Sequence, residues 1–208
     1  MILVILSCII ANAIGADYTL PGLCPKVKAF ENIDFMKFTG IWYTAAVFVS
    51  DGRLTYDCSI LDFQEDNLGY TLRETFVDID YGDRIQKSYF ARIDSTKNTA
   101  VKEARYIISH TENDKVLHFP FAILSTDYNS YALVYTCRAM KKKKEKNHYI
   151  YASVLSRSKQ TFDQNKVENI VAEFTELSEN LFILKDFADK TCSYNVKKPV
   201  ETFTDNFW

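Results

Sequence analysis

The groups best able to do chemistry in this 208-residue sequence are its five cysteines and three histidines, and their spacing argues against catalysis. Cys8, Cys24, Cys58, Cys137 and Cys192 include no C-x-x-C pair, and no histidine lies near any of them. That is not the spacing of a zinc site. His110, His118 and His148 are isolated from one another and from any nucleophile motif. An enzyme would need a nucleophile–base pair or a metal cluster, and the sequence offers neither.

Cys8 lies in a continuously apolar opening run, residues 1–10, followed by small residues. Ala11-Asn12-Ala13 and Ala13-Ile14-Gly15 both fit a small-x-small cleavage site. Residues 1–15 are therefore expected to be a signal peptide, too short to span a membrane comfortably, and no second long apolar run follows. Export to an oxidising, extracellular compartment leaves four cysteines, which allow three pairings among which spacing does not choose. No N-x-[ST] sequon occurs. Twenty-five basic against 27 acidic residues give a net charge of −2, without the basic surface that a nucleic-acid binder needs.

The elements that must position any site are strands. Eight runs rich in β-formers, 41–50, 58–65, 70–79, 84–93, 100–110, 116–125, 131–139 and 148–156, are separated by breaks rich in Asp, Asn, Gly and Ser. Breaks need residues that tolerate positive φ or bond their own backbone. Eight strands in series with mostly short connections favour an up-and-down antiparallel barrel or a sandwich. Pro120 interrupts the sixth run and predicts a bulge there. The polar 51–57 segment is longer than a hairpin requires and suits a loop over a barrel mouth. The lysine run 141–144 with Lys146 reads as a solvated hairpin tip, the alternative being a docking site for an acidic partner or lipid headgroups. Val167, Ile170, Val171, Phe174 and Leu177 recur at helical spacing, with Thr161 and Gln164 resembling a capping box. That single C-terminal helix must pack on the outside of the sheet. The apolar run 181–184 has the makings of a ninth strand. One domain, 16–198, and a short tail, 199–208, complete the division.

Three motifs in order carry a family resemblance: Gly40-Ile41-Trp42 opening the first strand, Thr126-Asp127-Tyr128 between the sixth and seventh, and Arg157 after the eighth. Together they resemble the lipocalins, over about 24–192. Cys24-Pro25-x-Val27, Tyr135-x-Cys137, the run 154–159 and Asp186-Phe187 are similar to the branch of arthropod bilin-binding proteins, insecticyanin and apolipoprotein D. The carotenoid-binding crustacyanins belong to the same branch. The resemblance implies an all-β fold, an eight-stranded lipocalin barrel with one helix outside it. It also implies disulfides Cys24–Cys137 and Cys58–Cys192. Gly40, Trp42, Thr126, Asp127 and Arg157 are expected to be structural, with the Arg157 guanidinium laid over Trp42 and donating to nearby carbonyls.

If Trp42 points inward, alternation makes Thr44, Ala46 and Phe48 inward too. Comparison with lipocalin barrels adds Leu61, Phe63, Phe119, Phe121, Ile123, Ala132, Val134, Thr136, Tyr149, Tyr151, Ser153 and Leu155, with Tyr89 and Tyr106 from the fourth and fifth strands. The expected ligand contacts are Phe48, Phe63, Tyr89, Tyr106, Phe119, Phe121, Val134, Tyr149, Tyr151 and Ser153. A haem-ligating histidine, as in nitric-oxide-carrying lipocalins, would have to project inward; His118 alternates outward, and none of the three is read as such a ligand.

The expectation is a secreted, non-catalytic carrier of a small hydrophobic molecule, with no metal and no covalent cofactor, and a bound biliverdin-like pigment first among ligands. A carotenoid, fatty acid, sterol or retinoid is the alternative. A secreted interaction protein with a filled, vestigial cavity is a third reading, since small barrels are often solid. Whether the chain forms a homo-oligomer is not set by the sequence.

Overall fold

The computed structural model describes residues 19–50, 56–80, 83–96, 103–112, 114–140, 146–159, 162–177, 182–187 and 192. The expected signal peptide, the C-terminal tail, most of the 51–57 loop and the lysine run 141–144 lie outside the described residues. Eight long strands form the barrel: β2 (Gly40–Val49), β3 (Tyr56–Asp66), β4 (Gly69–Asp80), β5 (Asp83–Ser95), β6 (Arg105–Glu112), β7 (Lys115–Thr126), β8 (Tyr131–Ala139) and β9 (Asn147–Ser156). Each pairs antiparallel with the next, and β9 returns to pair with β2, which closes the barrel. Two-residue strands extend it: β1 (Leu20–Pro21) on β9, and β10 (Ile183–Leu184), inside the apolar run 181–184, on β2.

Helix α2 (Gln164–Val171) packs on the outer wall. Val167 and Val171 are buried with Leu133, Tyr135, Ile150, Ala152 and Val154 of β8 and β9. The helix is shorter than the periodicity predicts, because Phe174 and Leu177 are buried in turns beyond its end. Its cap is also not the one expected. The Asp163 carboxylate accepts from the Lys166 N–H at 2.8 Å, so Asp163 holds the N-cap position in place of Thr161.

Pro120 corrects another expectation. The β6–β7 register runs through the Ile107–Pro120 pair without a shift, and the irregularity in β7 lies further on, between Ile123 and Ser125. The β8 ladder begins only at Ala122, so on that side the missing N–H of Pro120 costs no ladder bond.

One end of the barrel is sealed. Helix α1 (Phe35–Phe38), a single turn that periodicity does not announce, sets Phe35 and Phe38 beside Trp42 and Phe63. Trp42 is fully buried, and its indole N–H donates to the Phe38 carbonyl at 2.9 Å. The Arg157 guanidinium lies 3.7 Å from the centre of the Trp42 ring. It also donates to the carbonyls of Tyr128 (2.9 Å), Lys37 (3.0 Å), Ile41 (3.1 Å) and Phe38 (3.2 Å). Gly40 makes room for this at a φ of +94°; a Cβ there would sit 3.3 Å from Arg157 Nη1. In the neighbouring turn Asp127 Oδ1 accepts the N–H groups of Asn129, Ser130 and Tyr131, while Thr126 Oγ1 accepts that of Tyr128 and donates to the Tyr131 carbonyl. Two disulfides anchor the flanking segments, Cys24–Cys137 to β8 and Cys58–Cys192 to β3.

Trp42→Ala should lower stability by roughly 3–5 kcal/mol through the cavity it leaves. Arg157→Ala should cost less, because it removes the cover and not core volume. Chemical denaturation of the two variants measures both; a Trp42→Ala curve overlying wild type would contradict this account of the sealed end.

Candidate functional site

Above the sealed end the barrel contains a cavity of about 60 Å³, within some 660 Å³ of space free of protein atoms that runs out to solvent. Its walls are set by strand alternation, with two interruptions that change which side chains face in. The first is in β2. Thr44 pairs with Leu155, but the next pair is Ala46 with Val154, so Ala45 is a bulge. Beyond it Val47 and Val49 pair with the inward Ser153 and Tyr151. Ala46 and Phe48 pair with the outward Val154 and Ala152. Phe48 therefore packs outside the barrel, 5.8 Å from the Phe182 ring, and is not on the cavity. One extra residue reverses the faces that simple alternation gives.

The second interruption is in β3, between Asp57 and Ile60. Cys58 takes a φ of +59° there and points outward to its disulfide with Cys192. Ser59 then faces in, and Tyr56 reaches the cavity from the far side of the bulge.

Six of the ten expected contacts line the cavity: Tyr89, Phe119, Phe121, Val134, Tyr151 and Ser153. Thr44, Leu61 and Thr136, expected inside, line it as well. Tyr149 is one level further from the sealed end, its ring 6.5 Å from that of Tyr151. Phe63 and Tyr106 are in the floor instead. Phe63 packs against Phe38 at 5.0 Å, and Tyr106 against Phe35 at 5.0 Å.

Sequence reasoning missed Tyr56, Leu72, Glu74, Ile108, His110 and Tyr135. His110, to which the sequence reading gave no direction, projects inward. Its ring stacks on Phe119 (5.4 Å, 14°) and lies 5.7 Å from Tyr89. The signal was available, since Tyr106, Ile108 and His110 share one face by alternation. Likewise Leu72 and Phe76, two residues either side of Glu74, mark it as inward. Tyr135 packs with the outer face of β8, pairs with Ala122 of β7, and borders the cavity as well.

Glu74 is the unusual member of this wall. It pairs across the sheet with Leu61 and Tyr89. The Ser59 hydroxyl donates to Glu74 Oε1, and the Tyr89 hydroxyl is also hydrogen-bonded to the carboxylate. Burial raises the Glu74 pKa in spite of both bonds. The Tyr89 pKa is pushed well above 10 by burial and by the neighbouring carboxylate. Nearer the mouth, Lys87 and Asp78 form a buried ion pair, their side chains 9% and 10% exposed. Among the described residues no group of three or more His, Cys, Asp or Glu is placed to hold a metal ion, and no helix is long and apolar enough to cross a membrane.

A closed eight-stranded barrel with one sealed end and an internal cavity defines a lipocalin. The family model described as Nitrophorin matches residues 24–201, and the chain belongs to that family. Insecticyanin-B of Manduca sexta is 28% identical over 189 residues, covering 89% of each chain. The bilin-binding protein of Pieris brassicae is 24% identical over 195 residues, covering 88% of this chain and 94% of its own. The solved structure of insecticyanin from the tobacco hornworm superposes with a TM-score of 0.72 at 26% identity, covering 86% of this chain and 94% of its own.

Because burial holds the folded-state pKa of Glu74 above its unfolded value, its contribution to stability is fully present below the unfolded pKa. It is lost as pH rises through the folded one. Glu74→Gln should therefore match wild type in acid and gain in melting temperature over it, in the ligand-free protein, as pH rises through the folded-state pKa. A melting-temperature difference between variant and wild type that shrinks as pH rises would show the opposite sign.

Proposed function

We propose that this protein is an extracellular carrier that holds a small hydrophobic molecule inside the barrel, with a bilin pigment as the first ligand to test. The observation that carries the reading is the cavity, whose wall of aromatic and aliphatic side chains with a few polar groups stands above a sealed floor. The two disulfides support an extracellular setting. The Pieris relative is named for binding bilin, which supports the pigment.

Size is the obstacle. Sites for drug-sized ligands enclose about 300–1,000 Å³, against about 60 Å³ here. A tetrapyrrole enters only if rings such as Tyr56, Tyr89, Phe119 and Tyr151 turn toward the mouth. Haem, which a nitric-oxide-carrying lipocalin would hold, meets the same shortage of room. His110 is the cavity histidine among the described residues, and its ring is packed against Phe119 and Tyr89, so presenting a nitrogen to iron would need the same rings to turn.

Titration of the delipidated recombinant protein with biliverdin, a carotenoid and a fatty acid in parallel tests the reading. Biliverdin should saturate with micromolar or tighter affinity, about −8 kcal/mol or stronger, and quench aromatic fluorescence. Ser153→Trp, which fills the cavity, should abolish it. Binding of the fatty acid or carotenoid alone would replace the pigment and keep the carrier. No binding of any of the three would favour the filled-barrel interaction protein.

A further inference from the structure

We infer that Glu74 is the recognition element of the cavity, and that it selects a ligand whose buried polar group is a nitrogen bearing hydrogen, a protonated amine or a pyrrole-type N–H, on an aromatic or apolar body. This rests on the carrier reading above and specifies what the carrier reads.

An ionised carboxylate only accepts hydrogen bonds, at about four lone-pair positions. Ser59 and Tyr89 are two donors to Glu74, which leaves acceptor capacity on a side chain that lines the cavity. A ligand hydrogen on nitrogen matches that capacity. A ligand carboxylate would meet like charge. The other inward carboxylate, Asp78, is already committed to Lys87, so Glu74 is the acidic group facing the ligand space among the described residues. Its burial disfavours the naked charge, and a bound cation would relieve that cost. The rings of Tyr56, Tyr89 and Tyr151 line the same cavity, and aromatic faces attract a cation in a desolvated site. A cationic side chain lies elsewhere in the wall. The Arg138 guanidinium lies 5.9 Å over the Phe119 ring, and Arg138 pairs with Tyr149, one level nearer the mouth than Tyr151. The cavity thus presents an acceptor within and a cation toward solvent. A compact aromatic amine fits the first alone, whereas a bilin would place pyrrole N–H groups at Glu74 and propionates toward Arg138.

Three probes on one body separate the polar groups: 2-phenylethylamine, 2-phenylethanol and 3-phenylpropionate, titrated by calorimetry at neutral pH beside biliverdin. The amine should bind at least tenfold more tightly than the alcohol and the carboxylate. In Glu74→Gln, with its fold checked by circular dichroism, the amine-to-alcohol ratio should fall to within threefold of one. If the pyrrole N–H is the natural partner, biliverdin should also lose at least tenfold in Glu74→Gln, whereas a compact amine as the natural partner leaves biliverdin unaffected. The wild-type ranking needs no variant. Saturable binding of the alcohol or of biliverdin, with the amine no tighter than the alcohol and biliverdin indifferent to Glu74→Gln, overturns this inference and leaves the carrier standing. Failure of every probe, of biliverdin, of the carotenoid and of the fatty acid overturns the carrier reading itself.

Discussion

A small barrel exposes its core at both ends unless something bulky and satisfied closes one of them, and here the closure is a single stacked pair. Arg157 lies flat on Trp42 while its N–H groups reach four backbone carbonyls from three separate segments. The stack alone is worth about 0.5–2 kcal/mol. The larger consequence is geometric, because one guanidinium ties α1, the start of β2 and the β7–β8 turn to the end of β9. A lysine would carry the charge but not the planar fork. With that end fixed, the aromatic floor of Phe35, Phe38 and Phe63 has something to pack against, and the cavity has a bottom.

Above the floor the wall departs from what folding alone would favour. Apolar side chains could fill a barrel of this size, and a solid core would be the stable solution. Instead the interior carries a carboxylate whose burial raises its pKa, a tyrosine hydroxyl bonded to it, and an ion pair between Asp78 and Lys87. Buried ion pairs of this kind are often no better for stability than apolar residues of similar volume. Polar groups at that depth add little to how firmly the barrel folds. They also leave the cavity small, since ordered rings occupy much of the space a large ligand would need.

Two single-residue bulges decide which chemistry faces the lumen. At Ala45 the extra residue sends Phe48 to the outer wall and turns Val47 and Val49 inward. At Cys58 it lets one cysteine reach outward to Cys192 while Ser59, its neighbour, donates to Glu74. Neither bulge has a distinctive residue signature. Both lie beside bonds made by distant parts of the chain, the β9 ladder in one case and a disulfide spanning 134 residues in the other.

Local pattern along the chain is enough to place the elements. The eight strands follow from β-formers between turn residues, while the sealed end was legible through the lipocalin resemblance that Gly40, Trp42, Thr126, Asp127 and Arg157 carry. Which face of β7, β8 and β9 turns inward came from the family resemblance, and alternation that nothing interrupts between Phe119 and Ile123, or along the paired lengths of β8 and β9, carries it along each strand. The disulfide pairs came from the family resemblance, since spacing left three choices open. Tertiary structure decided the rest. It set the faces of β2 beyond Thr44 and of β3 before Ile60, because a bulge resets a two-residue period and is fixed by the partner strand. It sank Phe63 and Tyr106 into the floor, because depth along a barrel axis depends on register with neighbouring strands. It brought Glu74, Tyr89, Ser59 and His110 together from four strands. No local pattern encodes that meeting, because cross-strand neighbours are set by the closure of the barrel.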